Sequence, residues 1–210
     1  MQGARMPIFG DDGGRRAKEK QAKVEGRLPP GQSLTIKWPV LHYGSVPHFE
    51  AAKWDFKISG LVETPLRLTW DEFRALPQVE STSDFHCVTR WSRLDNHWKG
   101  VRFTDLLDRA KAKPEAEYVL VLAEEGYTSN IPLKDLLRPD VLFAFEHDGE
   151  PLTGEHGGPV RLIVPQLYAW KSVKWVRGFM LVDHDRLGFW ERNGYHAYGD
   201  PWKEQRYSGT

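Results

Sequence analysis

The chain has 210 residues, 40% of them apolar and 12% aromatic, with nine tryptophans, so it carries material for one sizeable core. Twenty-nine Lys and Arg balance twenty-nine Asp and Glu, which excludes the overall positive field of a nucleic-acid or anionic-membrane binder. A single cysteine makes no internal disulfide, and no run approaches the roughly 20 apolar residues of a membrane span.

Residues 1–31 read as a flexible or loosely packed N-terminal arm: charged, glycine-containing, weakly periodic and closed by Pro29-Pro30-Gly31. The arm lacks the apolar h-region of a secretory signal, and Arg15-Arg16 is followed by Ala-Lys-Glu-Lys rather than a twin-arginine context. A cytoplasmic location is the expectation. Residues 32–210 are expected to form one domain. Within it "WDFKISGLV" alternates as a strand and runs into a turn at Glu63-Thr64-Pro65. "LTWDEFRAL" has Thr69 and Glu72 at capping-box spacing and predicts a short helix ending before Pro77. In "VRFTDLLDRA", Phe103, Leu106, Leu107 and Ala110 fall at i, i+3, i+4 and i+7, one helical face. "YVLVLA" is an apolar strand, and "PLKDLLRP" allows a turn or two of helix. "PVRLIVP" and "SVKWVRGFMLVD" supply two more strands, after which the chain turns to aromatic, glycine-rich loop ending in "GYHAYGDPWKEQRY". Short strands and short helices without regular βαβ spacing predict an α+β fold of mixed β-sheets.

Cys87, in "TSDFHCVTRWSRLDNHWKG", is the residue with the most chemical reach. On the residues alone it is either a small core hydrophobe or a thiolate stabilised by its neighbours His86, Arg90 and Arg93. A cysteine hydrolase has no local signature here, and a zinc site lacks the required Cys and His spacing. A third chemistry needs only one cysteine: a metal held by one thiolate, with an organic cofactor supplying the other ligands and anchored elsewhere. Strand alternation in "HGGPVRLIVP" sets Arg161 and Ile163 opposite Val160, Leu162 and Val164, and the same arithmetic sets Ser172 and Lys174 on one side of "WKSVKWVRG". Arg161, Ser172 and Lys174 then make a candidate phosphate clamp: a planar fork, a hydroxyl and a point charge. His147 and His184, each beside an acid, read as solvated turn residues, and Tyr195, His196 and Tyr198 either cover a pocket or cap the core.

"HCVTRWS…HWKGVRFTDLL", followed by "HGGPVRLIVPQLYAWKSVKWVRGFMLVD", resembles the molybdopterin-binding domain of the sulfite oxidase superfamily, from about Leu34 to the C-terminus. That superfamily includes the catalytic subunit of bacterial protein-methionine-sulfoxide reductase. The resemblance implies its α+β fold, a molybdenum–molybdopterin cofactor, and two-electron oxygen-atom transfer on a small oxo-acceptor or oxo-donor substrate of sulfite, sulfoxide or N-oxide type. A separate electron-transfer partner, with neither nucleic acid nor membrane insertion, completes the expectation. It implies Cys87 as the molybdenum ligand. It also implies His156, Arg161, Ser172, Val173 and Lys174 around the pterin and its phosphate, with His42, Tyr43 and Ser45 in a covering loop and Ala123 as a backbone contact. Trp98 falls beside the implied substrate pocket, with Arg90 or Arg93 meeting an anionic substrate or developing charge. Two positions depart from the pattern: Leu41 stands where sulfite oxidases carry an oxyanion-binding arginine, and Leu187 is nearest to their substrate-side tyrosine. The alternative to an enzyme is a non-catalytic molybdopterin-binding or partner-docking module.

Overall fold

Alternation at residues 55–60 sets the first long strand: Phe56 and Ile58 are buried on one face while Lys57 points to solvent. The computed structural model describes residues 12–209. In chain order they form helix α1 (Asp12–Val24), strands β1 (Ser33–Leu34), β2 (Asp55–Gly60) and β3 (Leu66–Thr69), and helix α2 (Trp70–Arg74). Next come β4 (Val79–His86), β5 (Trp91–Arg102), α3 (Phe103–Ala110), β6 (Tyr118–Ala123), β7 (Thr128–Pro132) and α4 (Leu133–Leu136). The last part holds β8 (Leu142–His147), β9 (Glu150–Pro151), β10 (Arg161–Ile163), β11 (Val176–Val182) and α5 (Phe189–Arg192).

Two sheets result, and the α+β class follows the expectation. One has the order β1-β5-β8-β10, with β4 on β5 and β9 on β8; the other has the order β3-β2-β11-β6-β7. Pairing is antiparallel except for β1 with β5 and β2 with β11. The main core lies between the sheets. There Phe56 of β2 meets Phe143 of β8 edge-on at 4.9 Å, and Phe103 lies 4.9 Å from Phe179 of β11. The helical face read from the sequence is the buried one, Phe103, Leu106, Leu107 and Ala110. At α2 both halves of the capping box form, Thr69 Oγ1 accepting from the Glu72 amide and the Glu72 carboxylate from the Thr69 amide.

The arm departs from the reading of loose packing. Residues 1–11 of it lie outside the described residues. From residue 12 it forms α1, buries Ala22 and Leu28, and pairs Arg27 with Asp84 and Asp95. The helix is polar almost all round, so no apolar stripe advertised it. A second correction concerns "SVKWVRGFMLVD". Only Val176–Val182 is strand; residues 172–175 form an irregular turn that ends with Trp175 at φ +53°.

Candidate functional site

Strands β4 and β5 make a hairpin, and Cys87 opens the turn between them. Its amide donates to Trp91 O at 2.9 Å, and the Arg90 amide donates to Cys87 O at 3.0 Å, with Arg90 at φ +71°. Across from this turn, β10 and the 172–175 turn come together because the Val164 amide donates to Ser172 Oγ at 2.9 Å. A cavity of about 360 Å³ lies between them. Cys87, Thr89, His156, Arg161, Ser172, Val173 and Lys174 face it, and the 36–49 loop adds Leu41, His42 and Tyr43 at its rim. Aromatic rings form much of the remaining wall: Trp38, Trp91, Tyr127, Trp170, Trp175, Phe189, Trp190 and Tyr195.

Two carboxylates line this cavity, Glu124 and Glu125, but they engage Arg177 and Ser45 rather than its cations. Arg161 is 3% exposed and donates only to carbonyls, His156 O at 2.8 Å and Ser172 O at 2.9 Å. Its Nε has no partner, and burial pulls the guanidinium down to about 9. Lys174 donates to Glu155 O; burial, then the Arg161 charge, lower it to about 7. Among the described residues neither cation lies within salt-bridge distance of a carboxylate. His156 is held near 4 by burial and then by Arg161 and Lys174, its Nδ1 is unpartnered, and Trp38 stacks on its ring at 3.9 Å. Burial also raises the Cys87 thiol, against which a 3.0 Å contact to Thr89 Oγ1 and the charges of Arg161 and Arg206 pull it down.

These residues fit an anionic cofactor that carries a thiophilic metal. A buried guanidinium with an orphaned Nε needs an anion, and the phosphate of a pterin cofactor supplies one. Trp91 Nε1 and His156 Nδ1 are further unpaired polar atoms on residues that line the same cavity. Among the described residues no group of three or more His, Cys, Asp or Glu side chains is arranged to hold a metal. A metal at Cys87 would therefore draw its remaining ligands from the cofactor.

Eight of the residues singled out from the sequence, His42, Tyr43, Cys87, His156, Arg161, Ser172, Val173 and Lys174, converge on this one cavity. Five do not line it. Arg90 is exposed at the turn, pointed toward Gly31 and Glu204. Arg93 is spent on Asp148, Asn96 and His147. Trp98 is 1% exposed in a secondary core with Phe85, Leu142, Ala144 and Ile163, and its Nε1 donates to Ser83 Oγ. Ser45 hydrogen-bonds Glu125 at the rim, and Ala123 precedes the 124–127 segment that does line the cavity. His86 is buried, hydrogen-bonded to Ser92 Oγ, lowered to about 4 by burial, and does not line the cavity. His147 is no solvated turn residue either: its side chain is 10% exposed, wedged between Trp38 and Trp98. His184 is solvated as expected, at 63% exposure. Of the tail, Tyr195 faces the cavity while Tyr198 packs on the core. Thr89 and the aromatic wall were missed; the high tryptophan count was their signal, since five of the nine line the cavity.

Comparison with known proteins agrees with this geometry. The family model described as "Oxidoreductase molybdopterin binding domain" matches residues 43–190. An uncharacterized oxidoreductase of Bacillus subtilis, YuiH, is 50% identical over 91% of this chain and 97% of its own length. A putative protein-methionine-sulfoxide reductase subunit of Azospira oryzae, YedZ1, is 31% identical over 81% of this chain and 66% of its own. The sulfane dehydrogenase SoxCD of Paracoccus pantotrophus superposes with a TM-score of 0.64 at 25% identity, over 73% of this chain and 43% of that one. The chain thus spans nearly all of YuiH but two thirds or less of the other two. With the motifs, the fold and the cationic cavity in agreement, the chain belongs to the oxidoreductase molybdopterin-binding domain family, is an oxidoreductase, and takes molybdenum–molybdopterin as its cofactor.

Proposed function

We propose that the protein catalyses two-electron oxygen-atom transfer on a small substrate, with Cys87 as the protein ligand to molybdenum. The observation that carries this reading is one cavity shared by the lone thiol and two cations, Arg161 and Lys174, whose hydrogen bonds go to backbone carbonyls and not to carboxylates. Bound molybdopterin supplies the two-electron redox centre. Arg161 binds the cofactor phosphate with a planar fork, and Lys174 adds a point charge that strengthens as the anion raises its proton affinity. His156, neutral and fixed by Trp38, offers Nδ1 to the pterin. The aromatic wall excludes water, which strengthens each of these contacts.

The lining supports one substrate class over another. Leu41 stands where sulfite oxidases carry an oxyanion-binding arginine, and Glu125 also lines the cavity, a pairing that favours a neutral oxo donor of sulfoxide or N-oxide type over sulfite. Similarity to YedZ1, a putative protein-methionine-sulfoxide reductase subunit, supports the sulfoxide class. Reducing such a substrate consumes two electrons and two protons and releases water, with the electrons delivered by a separate redox partner.

The test is metal and pterin analysis and visible spectroscopy of purified wild type and Cys87→Ser, followed by turnover with artificial electron donors. The expected result is about one molybdenum per chain in wild type, an altered visible thiolate-to-metal absorption in the serine variant, and donor-driven reduction of a sulfoxide or N-oxide by wild type. An identical visible band in both loaded proteins removes the ligand assignment. Loaded protein that turns over no sulfoxide, N-oxide or sulfite leaves a non-catalytic cofactor-binding module.

A further inference from the structure

The turn that presents the thiol is held from outside by both ends of the chain. Gln32, 5% exposed, donates from Nε2 to Cys87 O at 3.0 Å. Arg206, 4% exposed, donates from Nη1 to Val88 O at 2.8 Å and from Nη2 to Pro30 O at 3.3 Å, with its guanidinium 4.9 Å over the Tyr168 ring. Residues 30–32 and residue 206 therefore close on residues 87 and 88 as a clasp. The fit is tight at Gly31: at φ +66°, a Cβ there would lie 2.6 Å from Glu204 Oε1 and 3.3 Å from Arg206 Nη2. Further out, Arg27 pairs with Asp84 before the turn and Asp95 after it, and the Leu34 amide donates to Glu19 Oε1. Neither Gln32 nor Arg206 lines the cavity.

Such a brace has a physical reason. Arg90 sits at φ +71°, a conformation that a non-glycine residue holds only when its surroundings over-determine it. Each carbonyl of the turn fixes the plane of a peptide beside Cys87, so releasing either lets those planes rotate and swing Sγ. A ligand direction fixed by supporting hydrogen bonds is what a precise metal site needs.

We infer that Gln32 and Arg206 are positioning residues that aim Cys87 Sγ into the cavity, which makes the N-terminal arm and the C-terminal tail part of the frame of the site. This rests on the reading of Cys87 as the metal ligand. The test compares Gln32→Met, Arg206→Met and Arg206→Lys with wild type, using Phe73→Leu in the distant core as the control for general destabilisation. Two quantities are read: the limiting rate of Cys87 alkylation by iodoacetamide from a pH series in metal-free protein, which sets aside the effect of the Arg206 charge on thiol ionisation, and the visible thiolate-to-metal absorption of loaded protein.

Freeing the turn raises the alkylation rate about fivefold in Gln32→Met and Arg206→Met, the factor one net hydrogen bond is worth. The visible band shifts in both, Arg206→Lys moves both readouts back toward wild type, and Phe73→Leu changes neither. Wild-type alkylation rates and bands in folded Gln32→Met and Arg206→Met overturn the inference, as does an equal change in Phe73→Leu. If Arg206→Met does not fold, Gln32→Met decides alone. A visible band unchanged in loaded Cys87→Ser removes the ligand reading and the spectral arm with it. The alkylation arm still reads how the turn is held, so the two failures are separable.

Discussion

Arg161→Met separates stability from binding, because only the second changes much. Burial lowers the guanidinium to about 9, well below its ordinary value. At roughly 1.4 kcal/mol per pKa unit, keeping it charged at neutral pH costs the ligand-free fold on the order of 5 kcal/mol. Methionine keeps an apolar stem but removes the charged donors to His156 O and Ser172 O, at about 1.5–3 kcal/mol each. The two effects nearly cancel, so the metal-free variant keeps its stability to within about 2 kcal/mol, in line with other replacements of buried charge. For a chain of this size that confines the change in Tm to roughly 4–8 °C. Anion binding has no such offset, since losing a charge-assisted contact of about 1.5–3 kcal/mol weakens affinity roughly 10- to 100-fold. Thermal melts of metal-free protein with and without inorganic pyrophosphate read both quantities. A metal-free variant whose melt moves by far more than this, or one that pyrophosphate stabilises as much as wild type, refutes the reasoning.

Lys171 and Glu191 form a fully buried ion pair at 2.6 Å behind the cavity wall, so Glu191→Gln strands a buried ammonium and costs about 3–5 kcal/mol. The double variant Lys171→Met/Glu191→Leu recovers most of that loss in urea denaturation. His86, His147 and His156 are each held near 4 against an ordinary 6.5, chiefly by burial. Their neutral forms contribute stability that is complete above about 6.5 and is lost as pH falls through 4, because the unfolded chain binds protons the native one refuses. Melting points measured from pH 7.5 down to 4.5 should fall accordingly, and a flat profile counts against the burial argument. Lys174, lowered to about 7, should take up a proton when an anion enters the cavity. Titration calorimetry with pyrophosphate at pH 8, in buffers of different ionisation enthalpy, detects that uptake as a buffer-dependent heat.

The sequence by itself determined every element whose pattern is local. Phe56 and Ile58 mark a strand by period 2, Phe103 to Ala110 mark a helix by period 3.6, and Thr69 with Glu72 mark a helix start by direct hydrogen bonding. The motifs around Cys87 and Arg161 likewise carried the family and the cofactor, because a shared fold keeps particular side chains in a particular order along the chain. Direction in space was left to the tertiary structure. Arg90 and Arg93 stand within six residues of the thiol in sequence, yet the hairpin turn and the pairing of β5 with β8 send one to Gly31 and the other to Asp148. Arg161 lies 74 residues from Cys87 and shares its cavity. The clasp of Gln32 and Arg206 is the extreme case, since it joins groups 174 residues apart. Side chains that meet through sheet pairing leave no periodic trace in the sequence, because what brings them together is the burial of other residues.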